Sequence, residues 1–130
     1  MTPGFKADTP ESFFDAVEHR VVTPNDWARF IDAWAEDKGL NEEERTQGDW
    51  AALVHTEISE AFESWCNGEP LFWIRFWEEM RGSGKPEGAA AEYADALIRI
   101  FHWFAQHNMD VDQVLKEKMK FNLEHGGEQA

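Results

Sequence analysis

The chain of 130 residues is short of cations, of cysteine and of long apolar stretches. Its 12 Lys and Arg stand against 26 Asp and Glu, a formal net charge of −14. Proteins that bind DNA or RNA draw affinity from neutralising phosphates with Lys and Arg, so this balance excludes that class, and a polybasic membrane-surface protein with it. The single cysteine, Cys66, cannot form an internal disulfide, which excludes a disulfide scaffold and sets the expectation of a reducing compartment. The longest stretch without Asp, Glu, Lys or Arg, residues 100–109, falls far short of the roughly 18–20 apolar residues of a spanning helix. Residues 1–6 lack the apolar segment of a secretion signal. The expectation is a cytoplasmic protein that engages neither membrane nor nucleic acid.

Aromatic residues, by contrast, are plentiful: 7 Trp, 10 Phe and 1 Tyr. An acidic chain is disordered when aromatics are scarce, so this one is expected to fold, as one domain over residues 1–130. Its punctuation marks off helices. Thr9-Pro10 and Thr23-Pro24 each set a capping residue before a first-turn proline, and Trp27, Phe30, Ile31 and Trp34 then share one helical face. A third helix is predicted to start within residues 41–49 and run to 65, with Asn67-Gly68 as a turn. A short aromatic segment, 71–77, reads as helical and is followed by a loop over 82–86. A long helix is predicted over 88–107, and a last one from an Asp110–Gln113 capping box to Gly126-Gly127. Five to six helices and no convincing strand predict an all-α fold, a helical bundle with a four-helix core.

Most acids on such helices belong on solvated faces, so the informative ones are those that do not. At 100° per residue from Trp50, the residues Leu53, Val54, Ile58, Ala61 and Trp65 form an apolar stripe. Glu57 falls inside that stripe, at about 340°, and Glu60 on its edge, at about 280°, whereas Glu63 falls on the polar side. In the long helix, apolar on both flanks, a narrow stripe of Glu92, Asp95, Arg99 and His102 is predicted to face an interior or a partner. In the last helix Lys118 and Asn122 lie among Val111, Val114 and Leu115, which predicts an interior lysine. Two i, i+3 acidic pairs on facing helices would place four carboxylates around one point, where they repel unless a cation joins them. An all-oxygen set suits a hard divalent ion, Mg²⁺ or Mn²⁺, better than zinc. None of the five His follows a Glu by three residues, which removes the di-iron pattern, and Pro86 after Gly84-Lys85 removes a phosphate loop. Asp95 and Arg99, four apart, also read as a simple helix salt bridge.

In order along the chain, Thr56-Glu57-Ile58-Ser59-Glu60-Ala61-Phe62-Glu63, Glu92-Tyr93-Ala94-Asp95-Ala96-Leu97-Ile98-Arg99 and Glu117-Lys118-Met119-Lys120-Phe121-Asn122 resemble the three motifs of the MazG-like all-α nucleoside triphosphate pyrophosphatases. Relatives of that superfamily include the dimeric dUTPases and the dCTP pyrophosphatases. The resemblance covers residues 50–122. It implies a Mg²⁺-dependent enzyme, with Mn²⁺ as a substitute, that splits a (deoxy)nucleoside triphosphate into a monophosphate and pyrophosphate. It also implies that Glu57, Glu60, Glu92 and Asp95 hold metal, with Glu57 and Glu60 as the catalytic pair. Lys118 and Asn122 would contact phosphate or sugar, and the chain would form a homodimer or homotetramer. Two features depart from the pattern: Thr56 stands where many relatives have Glu, and the interval between Glu60 and Glu92 is long. Trp50, His55, Trp65 and Trp73 are candidates for contact with the base, and segment 71–77 fits a subunit contact. The competing readings are a non-catalytic helical interaction module and a metal-dependent hydrolase of another pyrophosphate-containing metabolite.

Overall fold

The computed structural model describes residues 9–77, 79, 82 and 84–126; residues 1–6, Ser83 and Gly127 lie outside them. The fold is all-α: α1 (Pro10–Glu18), α2 (Pro24–Asp37), α3 (Gln47–Cys66), α4 (Ala89–Gln106) and α5 (Val111–Glu124), with a short 3₁₀ turn at Leu40–Glu42. No helix among the described residues is long and apolar enough to cross a membrane.

Threonine sets the first three helix starts. Thr9, Thr23 and Thr46 each accept from the backbone N–H three residues on, and the side chains of Ser12, Asp26 and Asp49 bond back to the capping residue. These capping boxes satisfy donors that a bare helix end leaves open. At α5 only half of the expected box forms: Asp110 accepts from the Gln113 N–H, while the Gln113 amide turns to Glu117. The α5 start is tied down from α2 instead. Asn25 accepts from the Val111 N–H at 2.7 Å and donates to Asp110 at 2.8 Å. The Asn25 bond to Asp110, with the one from the Gln113 N–H, holds the Asp110 carboxyl below its ordinary range.

The chain divides into two compact units, one of residues up to Glu43 with those from Phe101 onward, the other Glu44–Ile100. In the first, Phe13 is buried, stacks on Phe30 at 4.1 Å and meets Trp27 edge-on at 5.0 Å. Ala16, Ala28, Ile31, Ala35 and Val111 complete its buried apolar set. His102, also buried, bonds through Nε2 to Asn41 at 2.7 Å and lies 3.6 Å from Asp32.

The second unit contains α3, the first two-thirds of α4 and a small hairpin. Segment 71–77, predicted helical, corrects to extended chain: β1 (Trp73–Arg75) pairs antiparallel with β2 (Lys85–Glu87), Trp73 opposite Glu87 and Arg75 opposite Lys85. Its aromatic and β-branched side chains prefer a pleated strand, and β2 supplies the backbone partner. Glu87 links the strands through Arg75, 3.6 Å away, and lies 3.3 Å from Lys85 on its own strand. The third helix starts at Gln47, and 40–42 forms the separate 3₁₀ turn.

Gly88 joins β2 to α4 with φ +99°, and a Cβ there would come within 2.5 Å of the Pro70 and Leu71 carbonyl oxygens. Leu71 O accepts from Ala90 N at 2.9 Å, so this close approach sets where α4 begins. Gly88→Ala is expected to lower stability by about 1–3 kcal/mol from the backbone conformation alone, before any clash is counted. Urea unfolding of the two proteins checks this; equal midpoints would contradict it.

Candidate metal centre

The buried face of α3 runs Trp50, Glu57, Ala61 and Ser64, a 7-4-3 spacing that includes a carboxylate. Trp65 and Ile58, predicted on the same stripe, are exposed. Glu57 is only 8 % exposed, as its helical phase predicted, whereas Glu60 is exposed and Glu63 lies on the solvent side. On α4 Glu92 is half-buried and Asp95 exposed, while Leu97 and Ile98, expected inside, are exposed.

One carboxylate oxygen each from Glu57, Glu92 and Asp95 lies within 4.8 Å of the other two. Full charges at that distance repel by about 3–4 kcal/mol per pair at an effective dielectric near 20. The repulsion favours the protonated form of these carboxyls. Burial, hydrogen bonds with Glu60 and Glu57 and the charges of Glu60 and Asp95 push Glu92 up to about 7. Asp95 is raised as well, by burial and by the charges of Glu57 and Glu60, against the opposing pull of Arg99 and Lys85. All four acids of the two i, i+3 pairs therefore act on one another, three of them converging and Glu60 bonded to Glu92.

Arg99 does not serve as a simple i, i+4 partner for Asp95. Its Nε donates to Glu57 Oε1 at 3.0 Å, across to the neighbouring helix. Lys85 on β2 acts electrostatically on Asp95, a role that its place in the glycine-rich 82–86 segment did not suggest. Thr56, where the resemblance expects a further Glu, is exposed and donates its hydroxyl to Ala52 O at 2.9 Å on its own helix.

The donor set fits a hard divalent cation. It consists of carboxylate oxygens alone, drawn from two helices and within 4.8 Å of one another, the donor type that hard ions take. Raised carboxyls mark an unbalanced negative charge that a cation would neutralise. The same donors suit Mg²⁺ and Mn²⁺ alike.

The remaining candidates fall elsewhere. Lys118, predicted interior, is exposed, with Nζ 5.2 Å from the Phe121 ring centre, because Val114, Leu115 and Met119 around it are also exposed. Asn122 is half-buried, and its Oδ1 has no hydrogen-bond partner among the described residues. Trp50 is buried under the Arg45 guanidinium, 5.0 Å from the ring centre. His55 and Trp65 are exposed. Trp73 is half-buried, donates to Glu69 at 3.3 Å and carries Arg75 over its ring. Trp50 and Trp65 stand about 22 Å apart along α3, at 1.5 Å per residue, so the two cannot stack on one base. Comparison with protein-family models, with characterised proteins and with solved structures found no match to this chain.

Proposed function

We propose that the chain is a divalent-metal-dependent nucleoside triphosphate pyrophosphohydrolase of the cytoplasm, with Mg²⁺ as cofactor. The observation that carries this reading is the convergence of Glu57, Glu92 and Asp95 within 4.8 Å, in a chain whose motif order resembles the MazG-like enzymes. Those three residues would hold the ion. Bound there, it would supply positive charge for the triphosphate and increase the acidity of coordinated water.

The protein's own residues then divide the work. Burial of Glu57 excludes bulk water from one side of the group and strengthens its electrostatics. To Glu60, exposed and bonded to Glu92, we assign the proton of the attacking water. The water oxygen adds to the α-phosphorus, the bond from that phosphorus to the bridging oxygen breaks, and pyrophosphate leaves with the electron pair. Pyrophosphate release across a panel of NTPs and dNTPs, with Mg²⁺ or Mn²⁺, tests the reading; no turnover on any of them sinks it.

A homodimer or homotetramer belongs to the same proposal. Ile58, Phe62 and Trp65 on α3 and Leu71, Phe72, Phe76 and Trp77 around β1 are exposed, Phe62 by 66 % and Phe76 by 71 %. Monomers seldom leave so many large apolar side chains in water. Light scattering is expected to give twice or four times the chain mass, with Phe62→Glu shifting the population toward one chain. A wild-type monomer at micromolar concentration would refute the oligomer.

A further inference from the structure

Arg99 touches the carboxylate group directly, through the 3.0 Å bond from its Nε to Glu57 Oε1. The two residues are 42 positions apart, so this contact is made by the packing of α3 against α4 and not by helix periodicity. Glu57 is the enclosed partner, its side chain 10 % exposed, while the Arg99 side chain is 39 % exposed. The guanidinium therefore has one foot in the acidic group and a good part of its surface in water.

We propose that Arg99 exchanges between two anions: it neutralises Glu57 when no divalent cation is bound, and contacts phosphate oxygens of the substrate when one is. The inference rests on the proposed metal centre and gives a role to Arg99, which ends the second motif but to which the resemblance assigns none. Glu57 belongs to the group of three that would hold the ion, so a guanidinium and a divalent cation compete for its negative charge. Like charges side by side disfavour each other, and Arg99 has solvent to turn into. Its planar fork matches phosphate geometry, and its charge is permanent at any working pH. A chain of net charge −14 also needs a cation at the place where a polyphosphate arrives. The alternative is that Arg99 is a fixed link between α3 and α4.

The test uses the full chain with Arg99→Met and Arg99→Lys, first with Mn²⁺ alone and then with inorganic pyrophosphate at saturating Mg²⁺. If Arg99 competes for Glu57, calorimetry shows Arg99→Met binding Mn²⁺ about 2–5-fold more tightly than wild type, the worth of a partly exposed ion pair. The same variant binds pyrophosphate about tenfold more weakly or worse, the size of a charged hydrogen bond, with Arg99→Lys between the two. A third readout needs no substitution: the hydrogen-bonded Arg99 Nε–H resonance of wild type is lost on adding Mg²⁺. Unchanged or weaker Mn²⁺ binding by Arg99→Met, unchanged pyrophosphate binding, or an Nε–H signal that persists at saturating Mg²⁺ each overturns the exchange and leaves a fixed link. Wild type that takes up no Mn²⁺ at all is a different failure, since it removes the metal centre itself.

Discussion

Pyrophosphate release from the best nucleotide of the panel is expected to fall by more than about 100-fold in Glu57→Gln and in Asp95→Asn, the upper end of what losing even an outer partner costs a metal site. Both substitutions keep side-chain volume and remove one negative charge. Without metal, each also relieves the crowding that pushes Glu92 up, so Asp95→Asn should be at least as heat-stable as wild type. Glu57→Gln differs in one respect, because it takes away the carboxylate that Arg99 bonds. A variant that is inactive and yet no less stable separates loss of chemistry from loss of fold. Wild-type rates in either variant would remove its carboxylate from the metal set. Inactivity together with a collapsed melting temperature in Asp95→Asn would instead mean that the charge group supports the structure, contrary to a net repulsion among its members.

The second large effect is on stability as a function of pH. Glu92 sits at about 7 in the folded chain and near the ordinary glutamate value, 4.5, when unfolded. Between those values the folded state holds a proton that the unfolded state has released. Stability must therefore fall as pH rises, being fully present below about 4.5 and lost above about 7. Metal-free protein is expected to show its melting temperature dropping across that window, with Asp95, displaced in the same direction, contributing a fall of the same sign. His19 is also raised, through its bonds and charge contact with Asp15, but it is exposed and the comparison with Glu92→Gln cancels it. Glu92→Gln should flatten the profile. Saturating Mg²⁺ should restore the melting temperature above pH 7 and release about one proton per site when added near pH 6.5, visible as heats that change with the buffer. A flat metal-free profile in wild type, or an equal slope in Glu92→Gln, would show that Glu92 holds no such proton.

The pairs Glu57–Glu60 and Glu92–Asp95 are legible in the order of residues because i, i+3 spacing is a property of the helix alone. Glu57 stands out further, as an acid at an apolar phase, and it is buried. The same local rule pairs Arg99 with Asp95, four residues away, and captures only a charge contact, since the hydrogen bond goes to Glu57. The bond from Arg99 to Glu57 depends on which face of α3 meets α4, and no single-helix wheel contains that. The aromatic segment 71–77 misleads for a related reason. Its preference for a strand is expressed only when Lys85–Glu87 returns alongside it, and the return depends on the Gly88 turn against the Pro70 and Leu71 carbonyls. Lys118 has a phase among apolar neighbours, but those neighbours are themselves exposed, so phase implies no burial.

By itself, the sequence determined the short-range features. Threonine caps, proline at helix starts and 3.6-residue periodicity act within a few residues, so the all-α class, the helix starts and the spacing of each acidic pair follow from order alone. The net charge of −14 and the single cysteine are likewise properties of composition, the same however the chain folds. Only the tertiary structure decided which acids meet, which of them carries the proton and which cation answers them. Those outcomes turn on distances between groups tens of residues apart: carboxylates within 4.8 Å, a guanidinium at 3.0 Å. Charge energies and pKa values depend on such separations and on burial, quantities that a linear order of residues does not contain.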